Sequence, residues 1–269
     1  HAGLFPSLEV AFELPESEQL AWAVTESADN GRLYAAMQDF LHRSEQDGEL
    51  DLLRERFFGY LPDINRLALN AFAARVDKQL PRLEPLMRRV AEQEGIDWRL
   101  LAAISYQESH WNPQAVSRKG ASGMMMLTQR AATEVGVRDR HNMEQSLRGG
   151  ARYFLGLMSD LEGAIAPAER ELFALAAYNM GAAHLGDARR LATLRGGSAD
   201  NWTDVAEQLP LLAKREWRSH MLHGYARGLE TVSFVNGVRQ YHRFLEHHED
   251  PEGLYAMTTG ASARPASGS

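Results

Sequence analysis

Glu108 is the residue whose type and position most suggest chemistry. It lies in the run Ala103-Ile104-Ser105-Tyr106-Gln107-Glu108-Ser109-His110-Trp111-Asn112-Pro113. Leu101, Ile104 and Glu108 fall at i, i+3 and i+7 of a helical pattern, so the carboxylate shares the stripe of core-facing side chains. A carboxyl held among apolar neighbours is costly to ionise, and its pKa rises. That suits a general acid working near neutral pH. The same spacing also fits a glutamate turned to solvent, or one paired with a buried arginine.

Two further stretches break the pattern of a plain helical core. The Asn112-Pro113 step ends the helix, because the residue before a proline is pushed out of the α region. The chain then runs through Ala115-Val116-Ser117-Arg118-Lys119-Gly120-Ala121-Ser122-Gly123 to Met124-Met125-Met126-Leu127, a composition that suits a tight loop with amides facing a cleft. Three successive methionines cannot all face one core, so at least one is expected at a surface or groove. A glycine-rich turn with methionines filling gaps is the plainer alternative. Farther on, the segment from Glu171 to Ala177 is apolar nearly all round, as a buried helix is, until Tyr178-Asn179 interrupts it. A buried amide must have partners, so Asn179 is expected either as a structural hydrogen-bond hub or as a wall of a polar cleft.

The elements that must position these residues are mainly helices. From about Asn70 onward, periodicity predicts helices over 64–78, 82–94, 98–109, 128–135, 143–160, 168–180, 182–191, 202–208 and 217–248, the last with breaks. Gly95 fits a helix C-cap, and Asp97 fits the N-cap of the helix that carries Glu108. The first sixty residues differ in texture. Leu8, Val10, Phe12 and Leu14 alternate with polar or small residues, as do Leu20, Trp22 and Val24, predicting two strands. Two amphipathic helices follow, on Leu33, Met37, Phe40 and Leu41 and on Leu50, Leu53 and Phe57. Two strands and two helices do not complete an open α/β sheet, so residues 1–60 read as the remnant of a larger domain. Residues 61–74, after the hinge-like Gly59-Tyr60-Leu61-Pro62-Asp63, are expected to link it to a helical domain at 75–250; the small, polar stretch 251–269 is expected to be disordered.

Composition narrows the function classes. A net charge of −7 and a pI near 5.8 argue against a nucleic-acid partner. The densest basic cluster, Lys214-Arg215-Glu216-Trp217-Arg218, reads as a solvated face. With no cysteine there is no disulfide, thiol nucleophile or cysteine metal site. His220, His223 and His247-His248 lack convincing ligand spacing, so neither a metal nor a cofactor is expected. No apolar run approaches the length of a membrane span. The chain opens at His1-Ala2-Gly3 without an initiator methionine, which reads as a fragment or processed product.

Taken in order, the blocks are more specific than any one alone. Glu108-Ser109-x-x-Asn112-Pro113, Ala115-Val116-Ser117, Gly123-Met124-Met125-Met126, Ala177-Tyr178-Asn179-x-Gly181 and Phe234-Val235 resemble the soluble-lytic-transglycosylase family that cleaves peptidoglycan. Tyr106-Gln107-Glu108-Ser109-His110-Trp111 and Gly224-Tyr225-Ala226-Arg227-Gly228-Leu229-Glu230 look like one branch of it. The strand–helix–helix order of residues 1–60 resembles the C-terminal end of periplasmic solute-binding-protein domains, which precede the catalytic domain in that branch. The resemblance implies a goose-lysozyme-like helical catalytic domain behind a small α/β remnant. It also implies a periplasmic location with attachment to the outer membrane, peptidoglycan strands as substrate, and muropeptides as the natural regulatory ligand.

The resemblance further implies Glu108 as acid and then base, with Ser109, Ser117, Met125, Met126, Tyr178, Asn179 and Phe234 around the substrate. Two departures stand out. Met126 occupies the place of the family's usual glutamine, and Phe234 that of a tyrosine, so two polar groups are lost or replaced. A hydrolase of glycosides ordinarily uses two carboxylates. None stands within these blocks besides Glu108; Glu134, Asp139, Glu171 and Glu230 lie elsewhere. One carboxylate suffices when the substrate supplies its own nucleophile. In the family's reaction, the muramoyl C6 hydroxyl closes onto C1 and leaves a 1,6-anhydro end. A goose-type lysozyme-like hydrolase on the same fold, or a non-catalytic glycan-sensing module, are the alternatives.

Overall fold

The computed structural model describes residues 30–46, 66–161, 163 and 165–249, and the predicted strands and the helix around Leu53 lie outside them. The chain divides into two compact units, residues 1–66 and 67–269. In the first unit the described element is one helix, α1 (Asn30–Gln46), where the Leu33–Met37–Leu41 stripe predicts it.

The second unit is helical apart from two isolated β-bridges. Its first helix, α2 (Arg66–Glu94), is a single element with Pro81 and Pro85 inside it. The sequence reading breaks this helix at Pro81 and assigns residues up to 74 to a linker. A proline removes one hydrogen bond and crowds the preceding turn, a cost of about 3 kcal/mol. Here a long buried stripe outweighs that cost: Leu69, Phe72, Val76, Leu80, Met87 and Val90 are each no more than 4 % exposed. The helical domain therefore begins before residue 75. Gly95 ends α2 in the left-handed conformation (φ 76°), with its amide donating to the Ala91 carbonyl at 2.8 Å.

Seven further α-helices follow: α3 (Trp98–Ser109), α4 (Gln129–Glu134), α5 (Met143–Asp160), α6 (Pro167–Met180), α7 (Ala182–Leu194), α8 (Trp202–Gln208) and α9 (Gly228–Glu249). Most starts are fixed by side chains. Asp97 caps α3 by accepting from the Arg99 amide, Thr128 caps α4 from Ala131, Asn142 caps α5 from Gln145, and Asn201 caps α8 from Asp204. The predicted helix 217–248 is broken. Leu209–Ala213 and Arg215–His220 form short 3₁₀ turns, and the chain runs irregularly to Gly228. Lys214, Arg215, Glu216 and Arg218 are exposed, as a solvated face requires.

Helix α6 is central and packs against α5, α7 and α9, and α9 also covers α3. Residues Leu172 to Ala177 are all buried, which explains a sequence apolar on every side. The end of α3 is held by an aromatic cluster. Tyr106 meets Phe72 of α2 at 4.5 Å between ring centroids, Trp111 at 5.1 Å and Tyr241 of α9 at 4.9 Å. Edge-on ring contacts of this kind add to the burial of the rings themselves.

Candidate active site

Glu108 occupies the last turn of α3, one residue before its end at Ser109. Leu101 and Ile104, on the same stripe, are 0 % exposed. Glu108 itself is half-buried, with protein enclosing its carboxyl and a limited opening to solvent. Burial, without a resolved contribution from any described charge, pushes the carboxyl from 4.5 up to about 8. Among the described residues no arginine pairs with it, and the enclosed carboxyl is not that of a solvated glutamate.

The chain after Glu108 is fixed tightly. His110 (φ 53°) and Trp111 (φ 60°) are both left-handed, and the Trp111 indole N–H folds back to donate to the Ala102 carbonyl at 2.9 Å. The Ser109 hydroxyl donates to the Met124 carbonyl at 2.8 Å and accepts from the Asn112 amide at 3.2 Å. This buried serine joins the helix end to the methionine loop, and its hydroxyl is committed to backbone.

Residues 116–127 form two small antiparallel turns, bridged Val116 to Ser122 and Ser122 to Leu127. Within the first, the Ser117 hydroxyl accepts from the Ala121 amide at 3.0 Å. Arg140 ties both down, donating to the Gly120 and Leu127 carbonyls at 2.8 and 2.9 Å. Gly123 has φ 85°, and a β-carbon there would lie 1.8 Å from the Arg140 carbonyl oxygen, so only glycine fits. Met124 and Met125 are 0 % exposed, while Met126, at φ 46°, keeps part of its surface. One of the three methionines thus lies at the surface, as their succession demands. The Met125 side chain is packed against Gly150 of α5, where it has no access to a substrate.

From the far side, α6 delivers Tyr178 and Asn179. The Tyr178 hydroxyl donates to the Met125 carbonyl at 2.8 Å, and its ring meets Tyr153 at 5.5 Å. Burial, then the negative charge of Glu108, holds the phenol well above its ordinary pKa. Tyr178 therefore stays neutral and lies within the electrostatic reach of Glu108. Asn179 is exposed, contrary to a buried hub, yet its side-chain oxygen accepts from the Thr231 hydroxyl of α9 at 2.8 Å. It is both a structural tie and part of a cleft wall.

That cleft, about 620 Å³, takes Ser117, Arg118 and Lys119 from the loop, Asn179 from α6, and Arg227 and Glu230 from the start of α9 and the segment before it. Phe234 is only 4 % exposed. One turn beyond Thr231, it faces the core and offers no stacking wall. Glu134, Asp139 and Glu230 are exposed, and Glu230 pairs with Arg227 at 3.0 Å. Among the described residues, no group of three or more His, Asp or Glu could hold a metal ion.

Several supporting residues escape a local reading. The Ser146 hydroxyl accepts from the Met125 amide at 3.2 Å. Gly149 and Gly150 let α5 close on Leu127 and Met125, and a glycine pair inside a helical pattern is a readable sign of such an approach. Asp187, only 1 % exposed, accepts from the Leu222 and His223 amides at 2.9 Å each and from Arg190 at 2.8 Å. It fixes the irregular segment that leads to the cleft.

A central helix, a half-buried glutamate at a helix end and a glycine–methionine loop beside it define a helical, lysozyme-like domain. Residues 85–200 match the family model of the Transglycosylase SLT domain. Beyond the domain, the similarity extends to proteins named membrane-bound lytic murein transglycosylase F. The one from Saccharophagus degradans is 46% identical over 246 residues, covering 91% of this chain and 49% of the relative. That of Photobacterium profundum is 44% identical, over 91% of this chain and 47% of the relative. The one from Cronobacter sakazakii is 45% identical over 88% and 45% respectively. The chain spans about half the length of the curated relatives it matches.

Proposed function

We propose that this chain holds the catalytic part of a lytic transglycosylase, cleaving the bond between N-acetylmuramic acid and N-acetylglucosamine without water. The observation that carries the reading is the solitary, raised carboxyl of Glu108. At neutral pH it is largely protonated and can give its proton to the glycosidic oxygen. The resulting carboxylate, still enclosed, then takes the proton of the muramoyl C6 hydroxyl as that oxygen closes onto C1. Bond order balances within the glycan: C1 loses the leaving oxygen and gains O6, and the proton returns to Glu108. Ring closure within one sugar needs no second protein carboxylate and gains from the high effective concentration of a group already in place. Burial as the single resolved cause of the Glu108 shift favours this one-carboxylate scheme over a hydrolase with an adjacent second acid.

The names of the relatives support peptidoglycan as substrate and a membrane-attached setting. We place the protein in the periplasm, attached to the outer membrane; no helix among the described residues is long and apolar enough to cross a membrane. Residues 1–60 fit the end of a solute-binding-like regulatory domain with muropeptides as its ligand.

Mass spectrometry of the fragments released from purified peptidoglycan tests the reaction. The expected product ends in 1,6-anhydromuramic acid, lighter by one water than a hydrolytic end. A reducing muramic end would make the chain a hydrolase, and no release at all would leave a glycan-binding module.

A further inference from the structure

The two rims of the Ser117–Asn179 cleft carry unlike charge. On one rim Arg227 is neutralised by Glu230 at 3.0 Å. On the other, Arg118 and Lys119 stand exposed and adjacent, with no ion pair to any described residue. In a chain of net charge −7, this is a local reversal of sign at the mouth of a cleft. The loop beneath is not slack. The Ser117 amide donates to the Ala121 carbonyl at 2.8 Å, the Ala121 amide donates back to the Ser117 hydroxyl at 3.0 Å, and Arg140 grips the Gly120 carbonyl at 2.8 Å, so the two cations project from a fixed turn.

A polymer of N-acetylhexosamines has hydroxyls and amides for Ser117 and Asn179 but nothing for two cations. Carboxylates hang from its muramic sugars. In an intact strand the lactyl carboxyl is an amide and the charges lie along the attached peptide; in a stripped strand the lactyl carboxylate is free. Lysine and arginine hold their charge at the end of long stems, off the backbone of the loop and toward a group leaving the glycan.

We propose that Arg118 and Lys119 form a carboxylate-recognising rim that makes the cleft prefer glycan bearing anionic peptide stems over glycan stripped of them. The rim presupposes the peptidoglycan reading above and adds a selectivity to it.

Titration calorimetry tests it in the Glu108→Gln background, where strands are expected to bind without being cut. The ligands are peptide-bearing strands and the same strands treated with an amidase. Exposed ion pairs are individually weak, so R118A/K119A should weaken binding of peptide-bearing strands about three- to tenfold, less at high salt. Binding of stripped strands should stay unchanged, and the charge-conserving pair Arg118→Lys with Lys119→Arg should restore the preference. Unchanged melting of each variant excludes a folding defect. A loss confined to stripped strands would assign the contact to the lactyl carboxylate and overturn the peptide assignment. Equal loss on both, or none, would overturn the rim. Titration needs no turnover, so a wild-type chain that discriminates strands but never cuts them would sink the transglycosylase reading and leave the rim standing.

Discussion

The hydroxyl of Tyr178 donates to the carbonyl of Met125, 2.8 Å away, and so closes the methionine loop onto the central helix beside Glu108. With its proton committed there, the phenol is held neutral by burial and by the nearby charge of Glu108. Tyr178→Phe leaves a buried carbonyl without its partner. Stability should fall by about 1–2 kcal/mol in urea denaturation. Turnover of peptidoglycan should fall about ten- to a hundredfold, as the loop and the acid lose their register. A Phe variant with wild-type turnover would show that this hydrogen bond does not serve catalysis.

The raised carboxyl of Glu108 links activity and stability to pH. Protonation is needed at the start of the reaction, so the rate should decline as pH rises through about 8. The folded chain also holds this proton more tightly than the unfolded chain, whose value is near 4.5. The associated stability is complete below 4.5 and is lost as pH rises from there through about 8. Glu108→Gln should abolish cleavage. Because glutamine does not titrate, its stability relative to wild type should grow by about 4 kcal/mol between about pH 5 and about pH 9. Thermal melts of both proteins across that range check it, and parallel curves would contradict the burial of the carboxyl.

Gly150 has no room for a side chain. An added β-carbon would lie 2.4 Å from the Met125 terminal methyl and 2.7 Å from its β-carbon. Gly150→Ala should cost about 1–3 kcal/mol by overpacking and shift the loop that Tyr178 holds. Met125→Ala in the same chain should return part of that loss. Denaturation of the two single variants and the double variant would reveal the coupling, and strictly additive losses would refute direct contact.

Asp187→Asn should loosen the segment before α9 without touching the carboxyl of Glu108. An amide can accept through one oxygen only, so one of the Leu222 and His223 amides loses its partner, with a cost of about 1–3 kcal/mol. The apparent KM for glycan strands should rise several-fold while kcat changes little. Steady-state kinetics on soluble strands separate the two, and a drop confined to kcat would speak against a wall-positioning role.

The features set by local neighbours are legible in the sequence. The stripe of Leu101, Ile104 and Glu108, the cap at Asp97 and the stop at Gly95 depend on neighbours a few residues away. Pro81 misled because its cost is local, whereas the burial that overrides it draws on the whole length of α2. Asn179 was legible as a break but not as an exposed one, since its partner Thr231 lies 52 positions on. Asp187 carries no local signal in the sequence; a segment 35 residues later accounts for its burial. Phe234 matched a family position, yet only the packing of α9 shows its ring turned inward.

Trp111 bears on how this site can move. Its indole sits in the aromatic cluster and grips Ala102, so the turn following Glu108 is anchored to the helix it leaves. Peeling that turn away would expose the indole and strip a carbonyl in mid-helix. The chain beyond the acid is thus a brace rather than a hinge.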